Sequence, residues 1–171
     1  MMRTTRAGLA ALVLLALASP APAAPAPTAS IPEWAKLPIV ERAPYDPGAN
    51  ADAAVNAAFA RARKSGKRVF IDMGGNWCAD CIILANFMQL AEIRAFIAQH
   101  YEVAVVDVGR FDKNLQIPAR FGITNRLEGV PAVIIAEPNG RMVNRGHVAA
   151  LADARHMTPQ GIADWIAQWA K

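Results

Sequence analysis

Cysteine is scarce in this chain. Its 171 residues include two, Cys78 and Cys81, so at most one disulfide can form within it. Histidine is nearly as scarce: His100, His147 and His156 have no spacing that would complete a metal site with the cysteines. A structural zinc site needs about four ligands, so no metal is expected. Long apolar runs are missing too. The longest, roughly Leu9 to Ala18, falls short of the roughly 20 residues a membrane-spanning helix needs, and no later segment is long and apolar enough. There is no basic stretch with interleaved aromatics either. The one basic cluster, "RARKSGKR" at Arg61 to Arg68, reads as a helix end and turn, so no nucleic-acid partner is expected. Internal repeats are absent.

The chain begins with "MMRTTRAGLAALVLLALASPAPAAPAP": two arginines, a short apolar run, then small residues offering cleavage after Ala18 or Ala23. This pattern is that of a secretory signal peptide over residues 1–23, with an uncleaved anchor as the alternative. Cleavage would leave no stable membrane insertion. The formal charge is +4, from 18 basic and 14 acidic residues; without Arg3 and Arg6 the basic count is 16 and the balance +2. The basic pI thus says little about partners. Export puts the cysteines where disulfides persist, most simply a bacterial periplasm. Residues 24–50 are rich in Pro and Ala and predict a disordered linker that becomes an extended arm. Residues 51–171 fit one compact domain.

Within that domain, "ADAAVNAAFARARKSGK" reads as an amphipathic helix stopped by Gly66, and "RVFIDM" as a short buried strand. Apolar residues from Ile82 to Ile97 keep a 3.6-residue period and predict one long helix from Cys78 to about Gln99. "YEVAVVDV" is a strand, "IPARFGI" a short helix begun near Pro118, and "VPAVIIAEPNGRMVN" two strands joined at Asn139-Gly140. Thr158 and Pro159 open a last helix with Ile162, Trp165, Ile166 and Trp169 on one core-facing stripe. This order predicts an α/β fold, a central sheet flanked by helices on both faces.

Cysteines three apart at a helix start lie within bonding reach on one face, and the first meets unpaired N–H groups and the positive end of the helix dipole. Such settings lower a thiol's pKa from about 8.5 into a range of about 3.5 to 7.5. Cys78 is therefore the natural nucleophile, and Cys81, one turn in, the thiol that resolves a mixed disulfide. Two other roles are open to the pair. A purely structural disulfide closing so short a loop would contribute only roughly 2 kcal/mol. A metal site lacks ligands.

These residues resemble the thioredoxin superfamily, specifically its exported bacterial thioredoxin-like members, over about Ala51 to Lys171. Trp77 directly before Cys78, and Asp72 at the end of "VFID" six residues ahead of it, stand where thioredoxins have their tryptophan and buried acid. "ARFGI" and "GVPAVII" are similar to the family's short helix and cis-proline loop. The resemblance implies a thioredoxin-like fold with a mixed sheet. It implies that Asp72 accepts the Cys81 proton with a raised pKa, that Pro131 is cis, and that the Val130 backbone pairs with an extended substrate. Trp77 would shield the site or only pack.

The sequence also departs from the family. Ala79-Asp80 stands where cytosolic thioredoxins carry Gly-Pro, which predicts an exposed negative charge opposing a thiolate. "GRFDKNLQIP" and "TNRLEG" are longer than in a minimal thioredoxin and would form a rim in which Arg126 and Glu128 contact a partner or only solvent. "HVAALADARHM" is an addition with no evident role. The expected activity is a thiol-disulfide oxidoreductase acting on protein disulfides or thiols, more a reductase than an oxidase. It needs no cofactor and is recharged by a membrane or thiol electron donor. The alternative is a binding module with a locked disulfide.

Overall fold

The computed structural model describes residues 24–171. The expected signal peptide, at 1–23, lies outside the described residues. Strand β1 (Arg68–Gly74) is the centre of the sheet. It runs parallel to β2 (Tyr101–Asp107), with Arg68 opposite Tyr101, and antiparallel to β3 (Ala132–Ala136), with Met73 opposite Ala132. The sheet is therefore mixed. Its helices are α1 (Ala51–Ser65), α2 (Ala79–Phe87), α3 (Ala91–His100), α4 (Gln116–Ala119) and α5 (Pro159–Gln168).

Side chains alternate across a strand, so a central strand covered on both faces must be apolar at nearly every position. Val69, Ile71 and Met73 point to one core, with Val55, Ala58 and Ala62 of α1 and Ile117 of α4. Phe70 points to the other, with Leu84 and Phe87 of α2, Ile93 and Ile97 of α3, and Ile162 and Ile166 of α5. The polar exception is Asp72, on the Phe70 face by the same alternation.

The caps follow the sequence. Asn50 Oδ1 accepts the Ala53 N–H to open α1, Gly66 closes it at φ 76°, and Thr158 Oγ1 accepts the Gly161 N–H ahead of α5. The basic cluster after α1 is largely engaged: Arg61 pairs with Glu102, Lys67 donates to the Ala98 carbonyl and Arg68 pairs with Glu137.

Two expectations need correction. The single helix from Cys78 to Gln99 is two helices, α2 and α3, meeting at a bend of 82°. Leu90 is extended (ψ 138°), and Asn86 is bonded to the arm as well as to the Ile82 carbonyl. The apolar period runs through the break because both helices face the same core. The expected hairpin has one regular strand, β3, and beyond it a single bridge between Ala136 and Met142. The Asn144 side chain replaces a second strand there, accepting from the Ile135 N–H and donating to the Val133 carbonyl.

Residues 24–50, expected as a disordered linker that becomes an extended arm reaching the domain, are docked along it as an arm. Trp34 donates to the Met157 carbonyl at 2.7 Å and meets Phe87 edge-on at 5.6 Å. Asn86 Oδ1 accepts the N–H groups of Val40 and Glu41, while Asn76 and Tyr45 exchange two hydrogen bonds. These side-chain amides satisfy an arm that has no strand partner.

Gly74, at the end of β1, is where this packing is tightest. A Cβ there would stand 2.5 Å from the Tyr45 ring and hydroxyl and 2.9 Å from Cys81 Sγ. Gly74→Ala is therefore expected to lower the stability of the oxidised protein by about 1–3 kcal/mol in urea unfolding. An unchanged midpoint would contradict the close approach of arm and cysteine.

Candidate active site at the Cys78–Cys81 pair

Cys78 and Cys81 are joined as a disulfide, with their Cα atoms 5.2 Å apart. Cys78 is the N-cap of α2, and its Sγ accepts the Cys81 N–H at 3.1 Å. Once Cys78 is reduced, that N–H and the helix dipole act on a thiolate in place of a capping oxygen. Cys78 is 6% exposed and Cys81 fully buried, which leaves Cys78 the sulfur open to attack. The Val130–Pro131 peptide is cis, and the Val130 carbonyl oxygen lies 3.4 Å from Cys78 Sγ.

Asp72, on β1 two residues before Gly74, is 2% exposed. Burial pushes its carboxyl up to about 7, against the opposing pull of a hydrogen bond from Tyr45. That tyrosine was not singled out from the sequence. It comes from the arm, is fully buried, and its hydroxyl stands 3.0 Å from both carboxylate oxygens. Burial and the Asp72 charge hold the phenol well above its ordinary range, so it stays a donor. The Tyr45 hydroxyl and Cys81 Sγ crowd the same point beside Gly74, next but one to Asp72 in β1. Asp72 also lines a cleft of about 460 Å³ bounded by the arm, helices α2 and α3 and strand β2.

Asp80 differs from expectation. It is buried, not exposed, and Arg155 reaches it with Nε at 3.0 Å, Nη2 at 2.6 Å and its backbone N–H at 2.9 Å. Burial pushes this carboxyl up, but the Arg155 bonds outweigh that and hold it below the usual carboxylate range. The charge beside the sulfurs is thus paired, and Arg155 belongs to the inserted "HVAALADARHM" segment that had no evident role. Trp77 is 44% exposed rather than buried in packing, with its indole N–H donating to the Gly109 carbonyl at 2.7 Å. Arg126 lies over the Phe111 ring, and Glu128 is exposed.

A family model described as thioredoxin-like matches residues 50–138. The chain belongs to the thioredoxin-like family. A solved disulphide isomerase from Xylella fastidiosa Temecula1 is 36% identical over 73% of this chain and 95% of its own, with a TM-score of 0.67. A structure described as DsbH oxidoreductase is 15% identical over 64% of this chain and 94% of its own, with a TM-score of 0.41, too distant to add to the argument. No curated protein sequence matched. The thioredoxin-like fold and its cysteine pair are those of a thiol-disulfide oxidoreductase in general.

The buried acid has a thermodynamic signature. The folded chain keeps the Asp72 proton up to about pH 7, the unfolded chain only to about 3.9. Between these values the folded state binds more protons, so this group's contribution to stability is full below about pH 4 and is lost as pH rises through 7. Urea unfolding of the oxidised protein should show a loss of about 4 kcal/mol over that window relative to Asp72→Asn. Tyr45→Phe, which removes the donor, should move the end of the loss to higher pH. An identical slope in Asp72→Asn would contradict the assignment.

Proposed function

We propose that this thioredoxin-like protein is a periplasmic oxidoreductase that exchanges disulfides with protein substrates through Cys78, in the reducing direction. The Cys78 thiolate attacks a substrate disulfide; a bond forms from Cys78 Sγ to one substrate sulfur, and the other leaves as a thiolate and takes up a proton. The Cys81 thiol then passes its proton to Asp72, and its thiolate attacks Cys78 Sγ, re-forming the protein disulfide and releasing the second substrate thiol. Two electrons move from protein to substrate, and a membrane or thiol donor of electrons restores the dithiol.

The observation that carries this reading is the buried Asp72, tuned to about 7 and held by Tyr45 on the Cys81 side of the disulfide. A proton acceptor working near neutral pH needs such a value, whereas an idle disulfide needs no carboxylate behind it. What surrounds Cys78 supports the reducing direction. Strong oxidants in this family owe their potential to a stabilised reduced form. Among the described residues, one backbone N–H reaches Cys78 Sγ, and the nearby Asp80 charge is already paired with Arg155. The signal-like N-terminus supports export, and the relative described as a disulphide isomerase supports exchange with proteins.

The test is the reduction potential, from equilibration in glutathione or dithiothreitol buffers with thiol trapping, alongside turnover of a protein disulfide with Cys78→Ser as control. A potential near or below about −200 mV, and turnover abolished in Cys78→Ser, are expected. A value near about −120 mV would make the protein a disulfide donor. A pair that no buffer reduces would make it a binding module with a locked disulfide.

A further inference from the structure

Beside the disulfide, four side chains form a continuous stack that the exchange chemistry does not use. The Arg110 guanidinium carbon lies 5.0 Å from the Trp77 ring centroid, Trp77 is 5.9 Å from Phe111, and the Arg126 guanidinium carbon lies 4.2 Å from the Phe111 ring. Arg110 and Arg126 are exposed, and neither makes a side-chain hydrogen bond or ion pair among the described residues. The acids on the same loops do not neutralise them. Asp107 faces Lys113 at 3.7 Å, Asp112 Oδ1 accepts the Arg110 backbone N–H, and Glu128 is exposed.

The stack is built rather than incidental. Phe111 and Asn114 hold φ of 70° and 52°, a left-handed region that non-glycine residues enter uncommonly. The loop is held there by the Phe111 N–H to the Val108 carbonyl and by Asn114 Nδ2 to the Asp107 carbonyl. Its position ties it to the reaction. Trp77 directly precedes Cys78, and the loop carrying Arg126 runs on to Val130, whose carbonyl lies 3.4 Å from Cys78 Sγ. On the far side of Arg126 a cleft of about 270 Å³ has Arg126 and Arg145 in its walls.

We propose that this stack is a docking rim for acidic protein substrates. The occupant is an extended segment with Asp or Glu within a few residues of its reactive cysteine. Its carboxylates pair with Arg110 and Arg126 in the fork geometry a guanidinium offers, and its apolar side chains lie on Trp77 and Phe111. Each guanidinium is already oriented by its ring, so little further ordering is needed on binding. This inference rests on the exchange function proposed above and names its substrate class. Charges at such a rim act mainly on encounter rate and register.

The test uses three peptides of one length, each with a single cysteine held as a mixed disulfide with 2-mercaptoethanol and flanked by Glu, Gln or Lys. The second-order rate of attack by the reduced protein is followed by tryptophan fluorescence. At low salt the Glu peptide should react about tenfold faster than the Lys peptide, with Gln between. Raising ionic strength from about 0.01 M to about 1 M, which shortens the screening length from about 30 to about 3 Å, should collapse that ratio. Arg110→Ser/Arg126→Ser should bring it to within about twofold at low salt, with the variant's urea midpoint confirming that it folds. The salt titration of the unaltered protein stands as a test even if the variant does not fold. Equal rates for the three peptides, or a ratio that persists in the folded variant, would overturn the docking rim and leave the exchange function standing. No reaction with any peptide would overturn both.

Discussion

A phenol donating to a carboxylate, with both groups taken out of water, is the interaction on which the rest of the site depends. Asp72 is the one charged group on a central strand otherwise apolar from Val69 to Met73. An unsatisfied carboxylate there would be costly, since a buried polar group without a partner loses its whole hydration. The sheet and helices leave it no partner of their own; the arm brings Tyr45. Docking of the arm and readiness of the acid are therefore one event. The amides of Asn86, which holds the arm at Val40 and Glu41, and of Asn76, which holds the Tyr45 backbone itself, belong to the same device.

Chemistry then divides between the two ends of the cysteine pair. Cys78, at the helix start, has an N–H, the helix dipole and the cis-proline loop on its exposed side. Cys81, fully buried, crowds the point that Gly74 leaves open together with the Tyr45 phenol, which in turn donates to Asp72. In the proposed exchange, one sulfur serves encounter and the other proton transfer. The Asp80–Arg155 pair keeps a further charge from entering this balance, and the 3-10 turn Ala154–His156 that carries Arg155 is held against α2 by it.

What the sequence made legible follows the reach of each physical signal. Strands β1, β2 and β3, the caps at Gly66 and Thr158 and the last helix are written in local patterns, and the structure has them. The acid was legible because it stands six residues before Cys78, and the cis-proline because "GVPAVII" resembles the loop that carries it. The bend between α2 and α3 was invisible, since the apolar period continues across it. The missing second hairpin strand was hidden because an Asn144 side chain can stand in for backbone. Tyr45 and Arg155 were beyond reach for a different reason. Each meets its carboxylate across a long stretch of chain, 27 residues from Tyr45 to Asp72 and 75 from Asp80 to Arg155. Tyr45 also stands in a Pro-rich segment whose composition reads as linker. A buried acid predicted on β1 was itself the available clue that a donor had to come from somewhere.

The central claim is that Asp72 is a buried proton acceptor poised near neutrality. The most direct measurement is the titration of its carboxyl carbon by NMR in the oxidised protein, assigned by comparison with Asp72→Asn. The account predicts a midpoint near 7. A midpoint near the ordinary value of about 3.9 would mean that the carboxylate is hydrated or otherwise paired, and would contradict its role as the Cys81 proton acceptor.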